Sequence, residues 1–242
     1  MHSPNIALIL AGGNGCRMHG EKPKQFLEVN GKPVIAYTLQ AFDAHSGIDC
    51  LAVVCMPEWQ AWVKALATQL GLQKPLHLFD AGATSHDSIR NGIRGLVDKG
   101  FDAHSVVLVH DAVRPLVSAR IISENIATCC DRGNAVTVVR GCESYLYSED
   151  GISSSACYRR ELMYRVQTPH TFRLADIAEA YDAAGQQQRV AQSLYVLMAE
   201  LGKAPFFFVK GERRNFKLTY HEDLELLKFY LATPPEQEEP EL

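Results

Sequence analysis

The sequence lacks an excess of basic residues and lacks long hydrophobic runs. Lys and Arg total 24 against 28 Asp and Glu, which gives a net charge of −4 at pH 7. A general surface for nucleic acid needs Lys and Arg in excess over one face, so the charge balance argues against that class. No apolar run approaches the length that spans a bilayer. We therefore expect a small anionic ligand, with no nucleic acid and no membrane as partners.

The seven cysteines lack the spacing of a metal site or a redox pair. No two of them form CxxC, and most lie in apolar segments, where Cys behaves as a small hydrophobic residue. The first ten residues contain too short an apolar stretch for a signal peptide. These observations predict a cytoplasmic protein with reduced thiols.

What the sequence does contain is short apolar runs that alternate with amphipathic stretches. Strands are predicted at NIALIL, CLAVVCM, HLFDAG, SVVLVH and NAVTVVR, and helices at residues 32–45, from Pro57 onward, at 85–100 and at 118–133. Apolar strands that alternate with helices predict an α/β fold, with a Rossmann-like, mainly parallel sheet flanked by helices. Ligands then bind at the carboxyl ends of the strands.

The alternation stops after Arg140. Residues 142–162 contain two short β-prone segments around Glu149-Asp150-Gly151, which predicts a hairpin. This arm has too few large apolar residues for a core, so it must lie on its own domain or on a second subunit. We predict one domain over residues 1–232, with the arm at about 141–162, and an acidic, flexible tail over 233–242. Thr219 and Glu222 match a capping box before a last helix.

Residues 8–26 combine glycines with the basic residues Arg17, Lys22 and Lys24 directly after the first strand. A dinucleotide fingerprint would need glycine where Met18 stands, and the Gly31-Lys32 pair is followed by proline, so neither familiar phosphate loop is present. Glycines let backbone N–H groups approach a phosphate closely. The alternative is an ordinary turn with solvated basic residues, but this density of glycine and positive charge favours phosphate binding.

Four other residues are candidates for a site or its support. Asp111 ends an apolar strand, where we expect a magnesium ligand or a ribose contact; the alternative is a turn cap. His110 is interpreted as structural and Arg114 as fixing the loop. Lys217 lies between two large apolar residues and is predicted to alternate out of a strand, with an edge-strand lysine as the alternative.

Four segments also resemble, in order, the motifs of the cytidylyltransferases that act on sugar-alcohol phosphates. They are AGGNGCRM with KPKQF and GKPV, VLVHDAVRPLV at 107–117, QTPHTF at 167–172 and NFKLTYHEDL at 215–224. The family includes the 2-C-methyl-erythritol 4-phosphate and ribitol 5-phosphate enzymes. The resemblance implies an enzyme that uses CTP and Mg²⁺, releases pyrophosphate and works as a homodimer joined by the arm.

The resemblance also implies roles for single residues. Arg17 and Lys24 would stabilise the transition state, and Lys217 would orient the acceptor phosphate. Arg160 would reach the acceptor site of the partner subunit, or Arg159 would if the alignment shifts by one residue. The residues that would bind the nucleotide are Leu10, Ala11, Gly12, Gly13, Gly15, Gly82, Ser88, Asp111 and Thr168, with Asp111 also as the metal ligand.

Some positions depart from the family pattern. Thr84 and Ser85 stand where the family usually has an acidic residue and an arginine, Glu143-Ser144 replaces Asp-Thr in the arm, and QTPH replaces the commoner QTPQ. The segments AGG, HDAVRP and ARIISENI resemble the ribitol phosphate branch more than the methylerythritol branch. D-Ribitol 5-phosphate is therefore the expected acceptor.

Three alternatives to a ribitol phosphate enzyme stay open. The first is the methylerythritol phosphate enzyme. The second is a nucleotide-binding regulator without turnover, against which the presence of acceptor-side cations counts. The third is a sugar-1-phosphate nucleotidyltransferase, which would share the glycine loop but not the PKQ, QTP and hairpin set.

Overall fold

The structure is a computed structural model that describes residues 3–13, 22–191 and 193–233. Its strands are β1 Asn5–Leu10, β2 Glu28–Val29, β3 Lys32–Pro33, β4 Cys50–Cys55, β5 Leu76–Asp80, β6 Val106–Asp111, β7 Ala135–Arg140, β8 Leu146–Tyr147, β9 Ala156–Cys157, β10 Tyr164–Arg173 and β11 Phe207–Lys210. Its helices are α1 Val34–Asp43, α2 Pro57–Gln69, α3 Ser85–Asp98, α4 Ala119–Arg132, α5 Leu174–Gln186, α6 Leu194–Glu200 and α7 Glu222–Ala232.

The seven-stranded sheet has the order β11-β7-β10-β6-β1-β4-β5. β1 runs parallel to β4 and to β6, β4 runs parallel to β5, and β11 runs parallel to β7. β10 is antiparallel to both of its neighbours, β6 and β7. The prediction of a Rossmann-like, mainly parallel sheet is confirmed. β10 was not predicted as a strand, although it contains the QTPH segment.

Helices cover both faces of the sheet, and the alternation of side chains along each strand supplies one core to each face. Ala7 and Ile9 of β1 pack with α1, α2 and α4, whereas Ile6 and Leu8 pack with α3, α5 and α6. Because successive strand residues point to opposite faces, a strand buried on both sides must be apolar throughout. This explains why the strand runs lack a polar–apolar alternation.

Helix boundaries follow local chemistry. Pro57 is the first residue of α2, where its missing N–H costs no hydrogen bond. The side chain of Thr84 accepts a hydrogen bond from the Asp87 N–H and so caps α3. Gly100, with φ +77°, follows the end of α3 in the left-handed conformation that glycine adopts readily. α1 begins at Val34 rather than at residue 32, because the residue before a proline is disfavoured in a helix.

Two predictions near the carboxyl end of the chain are wrong. No capping box forms before α7: the Asp223 carboxylate accepts the N–H groups of Thr219 and Tyr220, at 2.6 and 2.8 Å. Asp223 lies one residue further into the helix than Glu222, and its shorter side chain meets both N–H groups. Lys217 lies on an extended segment that belongs to no strand. That segment is held instead by the hydrogen bond from Leu218 N to Val113 O.

The predicted arm is a hairpin with a small sheet of its own. β8 pairs antiparallel with β9 over two residues each, and Gly151, with φ +71°, lies in the turn between them. Large apolar side chains on and beside the hairpin are exposed, including Leu146 at 68%, Ile152 at 92% and Leu162 at 66%. Among the residues that the structure describes, these side chains of the hairpin are therefore not covered by a core.

Candidate active site

The ends of two neighbouring strands place the candidate residues side by side. Leu10 at the end of β1 is in register with Asp111 at the end of β6. The chain after each strand stays close to the other, because Ala112 N donates to Leu10 O at 3.0 Å. Asp111 therefore lies next to the glycine loop, which we define as residues 10–13. Carboxyl ends of parallel strands are where α/β proteins bind ligands.

The glycine loop packs against the loop after β5. A Cβ on Gly12 would lie 2.5 Å from Ala81 Cβ and 3.2 Å from Ser88 Oγ, so only glycine fits there. Ser88 Oγ accepts the Gly82 N–H at 3.0 Å and donates to Thr84 O at 2.9 Å. Three of the residues predicted to bind nucleotide, Gly12, Gly82 and Ser88, thus meet at one place.

Lys24 begins a short 3-10 helix, Lys24–Phe26, that joins distant parts of the chain. Its ammonium donates to Leu218 O at 2.8 Å, and the side chain is 9% exposed. The Phe26 ring stacks on Trp59 with the ring centroids 4.3 Å apart, which anchors this short helix. Lys24 is consequently fixed beside the segment that contains Lys217.

Asp111 is the charged centre of the site. Lys217 Nζ lies 3.2 Å from both carboxylate oxygens, and Arg114 Nε lies 3.1 Å from Oδ2. Burial raises the pKa of Asp111, but the positive charges of Lys217 and Arg114 outweigh it and hold that pKa well below its ordinary value. Asp111 is therefore ionised at neutral pH and neutralised by its two cationic neighbours.

Hydrogen bonds that involve Thr168 of β10 hold the backbone around Asp111 in place. Thr168 Oγ1 accepts the Asp111 N–H at 3.0 Å. Asn215 is fully buried and donates from Nδ2 to Thr168 O at 2.9 Å. The backbone carbonyl of Asn215 accepts a hydrogen bond from Arg114 Nη1 at 2.9 Å. Three of the motifs found in the sequence therefore converge.

Arg114 fixes the loop as predicted, and His110 is structural: it is fully buried and its Nε2 bonds to Arg114 O.

A cavity of about 320 Å³ opens beside Lys217. We call it the Lys217 cavity; the polar residues among those that line it are Arg114, Arg165, Gln167, Lys217, Thr219, Tyr220 and Asp223. The side chain of Arg165 is exposed, and no hydrogen bond or ion pair is found for it in the described part of the chain. The cavity is thus lined by two arginines: Arg114, which is engaged by Asp111 and Asn215, and Arg165.

The remaining predicted residues are not brought to this centre. Arg160 and Arg159 lie on the arm, exposed, and contact Glu161 at 3.9 and 4.0 Å. Neither makes a hydrogen bond or ion pair with Asp111 or Lys217 within the described residues. Arg17 and Gly15 lie outside the described residues.

Two polar residues were missed from the sequence. Gln25 donates from Nε2 to Ala11 O at 2.6 Å and to Gly13 O at 3.0 Å. Arg165 lines the Lys217 cavity. Gln25 lies in the KPKQF segment directly after Lys24, so its position beside a predicted site residue could have indicated it. Arg165 shares a strand face with Gln167, two residues on, which would have indicated it once β10 was identified as a strand.

The structure offers few protein ligands for a metal. Among the described residues no group of three or more His, Cys, Asp or Glu side chains is arranged to hold an ion. Mg²⁺ in nucleotide sites is commonly held by one or two carboxylates together with substrate phosphates, so Asp111 alone is compatible with that donor set. In the same part of the chain no helix combines the length and apolarity that crossing a membrane requires.

A glycine loop at a strand end, joined to a partly buried carboxylate with lysine and arginine neighbours, defines an α/β enzyme that acts on a phosphorylated substrate. Comparison with known proteins names the family. Residues 5–233 match the family model described as "IspD: 2-C-methyl-D-erythritol 4-phosphate cytidylyltransferase", and the chain belongs to this family. It is accordingly a nucleotidyltransferase that uses CTP.

Individual relatives cover nearly the whole chain. A ribitol-5-phosphate cytidylyltransferase from Lacticaseibacillus paracasei is 36% identical over 228 residues, which cover 93% of this chain and 97% of that protein. A 2-C-methyl-D-erythritol 4-phosphate cytidylyltransferase from Geobacillus kaustophilus is 32% identical over 227 residues, covering 94% and 96%. The crystal structure of 4-diphosphocytidyl-2C-methyl-D-erythritol synthase from Anaerococcus prevotii superposes with a TM-score of 0.82 at 23% identity, covering 96% and 97%, and supports the fold alone.

Proposed function

We propose that the protein transfers CMP from CTP to D-ribitol 5-phosphate and forms CDP-ribitol and pyrophosphate. The observation that carries this proposal is the 36% identity with the ribitol-5-phosphate cytidylyltransferase of Lacticaseibacillus paracasei over 93% of the chain. The second candidate acceptor is 2-C-methyl-D-erythritol 4-phosphate. The family model and the 32% identical Geobacillus kaustophilus enzyme favour that alternative.

In the proposed reaction a phosphate oxygen of the acceptor attacks the α-phosphorus of CTP. A new P–O bond forms while the bond to the oxygen that bridges the α- and β-phosphates breaks, and pyrophosphate leaves with that oxygen. Negative charge gathers around the α-phosphate, so catalysis consists mainly of positioning and of fixed positive charge. Lys24 and Arg17 are the cations that we assign to this charge. Lys24 is already held in place by Leu218 O.

We place the nucleotide on the glycine loop. The residues assigned to it are Leu10, Ala11, Gly12, Gly13, Gly15, Gly82, Ser88, Asp111 and Thr168. Two observations support this placement: Gly12 packs on Ala81, and Ser88 accepts the Gly82 N–H. These contacts hold the two loops together at the carboxyl ends of the strands, where their backbone can approach a ligand. A non-catalytic nucleotide-binding protein would not need the cations beside Asp111.

We place the acceptor in the Lys217 cavity. Its volume of about 320 Å³ suits a small phosphorylated polyol. Lys217 would hold the acceptor phosphate, and Arg165 from the same chain would add a second positive charge. The hydroxyl groups of Thr219 and Tyr220 line the same cavity and can hydrogen-bond to polyol hydroxyls.

Asp111 is the residue that would hold Mg²⁺, together with phosphate oxygens of CTP. The ion would supply positive charge to the triphosphate. Since both carboxylate oxygens of Asp111 are now in contact with Lys217, binding an ion there requires Lys217 to move toward the cavity. Such a movement would direct the ammonium of Lys217 to the acceptor phosphate.

We also propose a homodimer in which Arg160 completes the acceptor site of the partner subunit. The exposed apolar side chains of the arm support this, because Leu146, Ile152 and Leu162 need a surface that this chain does not provide. Mixing two inactive variants, Arg160→Ala and Lys24→Ala, tests it. In a mixed dimer one site keeps both native residues, so activity should return; mixtures that stay inactive while forming dimers would contradict the arm exchange.

The extent of the domain and its compartment are further parts of the proposal. Residues 1–232 form one domain, which the two cores on opposite faces of a single sheet support. Residues 233–242 form an acidic tail, and all of them except Thr233 lie outside the described residues. A cytoplasmic location is supported by six cysteines that are free thiols.

Pyrophosphate release with CTP and a panel of polyol phosphates tests the function directly. D-Ribitol 5-phosphate should give the highest kcat/KM. Turnover with 2-C-methyl-D-erythritol 4-phosphate alone would replace the proposed acceptor by the alternative. CTP binding without pyrophosphate release on any acceptor would contradict the enzymatic function.

A further inference from the structure

Gln25 has a contact pattern that none of the assigned roles uses. Its side chain is 3% exposed, and its single amide nitrogen donates to Ala11 O at 2.6 Å and to Gly13 O at 3.0 Å. Both N–H bonds of the amide are therefore engaged, and both end on carbonyl groups of the glycine loop. One side chain thus holds two alternate peptide groups of that loop.

These hydrogen bonds determine where the loop N–H groups point. In a trans peptide the C=O of one residue and the N–H of the next point in opposite directions. Because the Ala11 C=O points to Gln25, the Gly12 N–H points away from it. The Gly13 C=O is held on the side of Gln25 as well. The Gly12 N–H is therefore turned to the face of the loop opposite to Gln25.

The glycine N–H groups on this loop are available to a ligand. Within residues 3–13, 22–191 and 193–233, no acceptor is found for the N–H of Gly12 or of Gly13. Ala81 restricts movement of the loop, because it lies so close to Gly12 that an added Cβ would be 2.5 Å from Ala81 Cβ. A backbone N–H without an internal acceptor can donate to an anionic oxygen, and glycine lets that oxygen approach closely.

Gln25 itself is held rigidly. Phe26 N donates to Pro23 O at 2.9 Å and Leu27 N donates to Lys24 O at 3.3 Å, which closes the short 3-10 helix around it. The adjacent Phe26 ring is fixed between Trp59 and Trp62, with centroid distances of 4.3 and 4.9 Å. A side chain on such a support can impose an orientation on the loop rather than follow it.

We infer that Gln25 is a positioning residue for the phosphates of the nucleotide: its amide holds the Ala11 and Gly13 carbonyls on its own side of the loop and so directs the Gly12 N–H to a phosphate oxygen. The inference rests on the proposed binding of CTP to the glycine loop. Lys24 and Gln25 then have different roles: Lys24 supplies positive charge, and Gln25 orients the peptide groups of the glycine loop. Gln25 touches no substrate in this arrangement.

Two substitutions separate this role from simple support of the fold. Gln25→Met keeps an unbranched side chain of similar length and removes both donors. Gln25→Asn keeps the amide but shortens the side chain by one methylene, so that it reaches at most one carbonyl. The matched control is Gln40→Met, which removes the amide that accepts Lys32 Nζ at 2.7 Å on α1, outside the site.

The measurements are the Kd for CTP by titration calorimetry, the KM for CTP and for the acceptor, kcat, and the melting temperature. The binding and kinetic measurements are made well below the melting temperature of each variant, so that only folded protein is compared. Gln25→Met should raise the Kd and the KM for CTP at least tenfold, and Gln25→Asn should raise them by a smaller factor. The KM for the acceptor should change less than twofold. Gln40→Met should leave every one of these constants unchanged.

The outcomes distinguish this inference from the proposed function. If the native protein binds CTP but turns over no ribitol phosphate, the proposed acceptor is wrong and the CTP titrations of the variants still decide the role of Gln25. If the native protein binds CTP and both Gln25 variants bind it within twofold as tightly, Gln25 is structural only. Equal increases in the KM for CTP and for the acceptor would also overturn the inference, because they would indicate a general distortion of the site.

Discussion

The site has two halves, the glycine loop and the Lys217 cavity, which present different chemical groups. The glycine loop and its neighbours present backbone: Gly12 and Gly82 approach other chain segments so closely that a side chain would collide. The Lys217 cavity instead presents charged side chains, and Asp111 is held between Lys217 and Arg114. Backbone groups recognise phosphate oxygens wherever they occur, whereas side chains can be exchanged to suit another polyol. If the proposed placement of the two substrates is right, this difference would let the acceptor change while the nucleotide stays the same.

Lys24 joins the two halves, and its loss should have the largest effect. Lys24→Ala removes an ammonium assigned to the transition state, and such contacts are worth roughly 3–4 kcal/mol, so kcat should fall by a factor on the order of 10²–10³. Lys32→Ala, a lysine that bonds to Gln40 away from the site, is the control. Near-native turnover by Lys24→Ala in a steady-state assay would remove Lys24 from the reaction.

Gly12 tests whether the nucleotide half depends on close backbone packing. In Gly12→Ala the new Cβ meets Ala81 Cβ at 2.5 Å, which should cost roughly 1–3 kcal/mol of unfolding free energy and raise the KM for CTP. A Cβ on Gly13 meets no atom of the described residues within 4 Å, so Gly13→Ala should fold as stably as the native chain. Urea denaturation of both variants compares them; equal stability would mean that the two loops are not packed as described.

Arg165 tests whether the acceptor half depends on side-chain charge. Arg165→Gln should raise the KM for the acceptor by about tenfold, since a charged hydrogen bond is worth roughly 1.5 kcal/mol, and leave the KM for CTP unchanged. Arg173→Gln, at the other end of the same strand and bonded to His104 O at 2.7 Å, is the matched control. A KM for the acceptor that does not change would assign the phosphate to Lys217 and Arg160 alone.

Two buried histidines, His110 and His170, lie close to Asp111 and Arg114, and they should make the stability of the fold sensitive to acid. Burial lowers the pKa of His110 and of His170 to about 4 from an ordinary value of 6.5. Between these values the unfolded chain binds protons that the folded chain does not, so the free energy of unfolding falls as pH falls below 6.5. His170→Gln should reduce this slope by up to about 1.4 kcal/mol per pH unit. Denaturation curves at several pH values measure it; an unchanged slope would mean that His170 is not protonated on unfolding in this range.

Much of the fold could be predicted because its determinants are local. The apolar runs, the proline at the start of α2 and the glycine after α3 act within a few residues of where they stand. The candidate residues at strand ends followed from the fold, since parallel strands bring their carboxyl ends to one edge. Asp111 beside Leu10 is the clearest example.

The rest depends on contacts between distant residues. Lys24 reaches Leu218, and Asn215 reaches Thr168, and no local pattern indicates either partner. β10 was missed because it is antiparallel and carries polar residues that bond to other loops rather than alternate regularly. The capping box failed for a similar reason: Asp223 and Glu222 are adjacent, and only the path of the preceding loop decides which carboxylate caps it.

The hydrogen bond from Lys24 to Leu218 O has a consequence for synthesis of the chain. A ribosome makes the glycine loop and Lys24 first, and the carbonyl that holds the Lys24 ammonium follows 194 residues later. Lys217 and Asn215 are made together with it. A nascent chain that already contains every strand of the seven-stranded sheet therefore still lacks the contacts that join Lys24 and Asp111 to this segment.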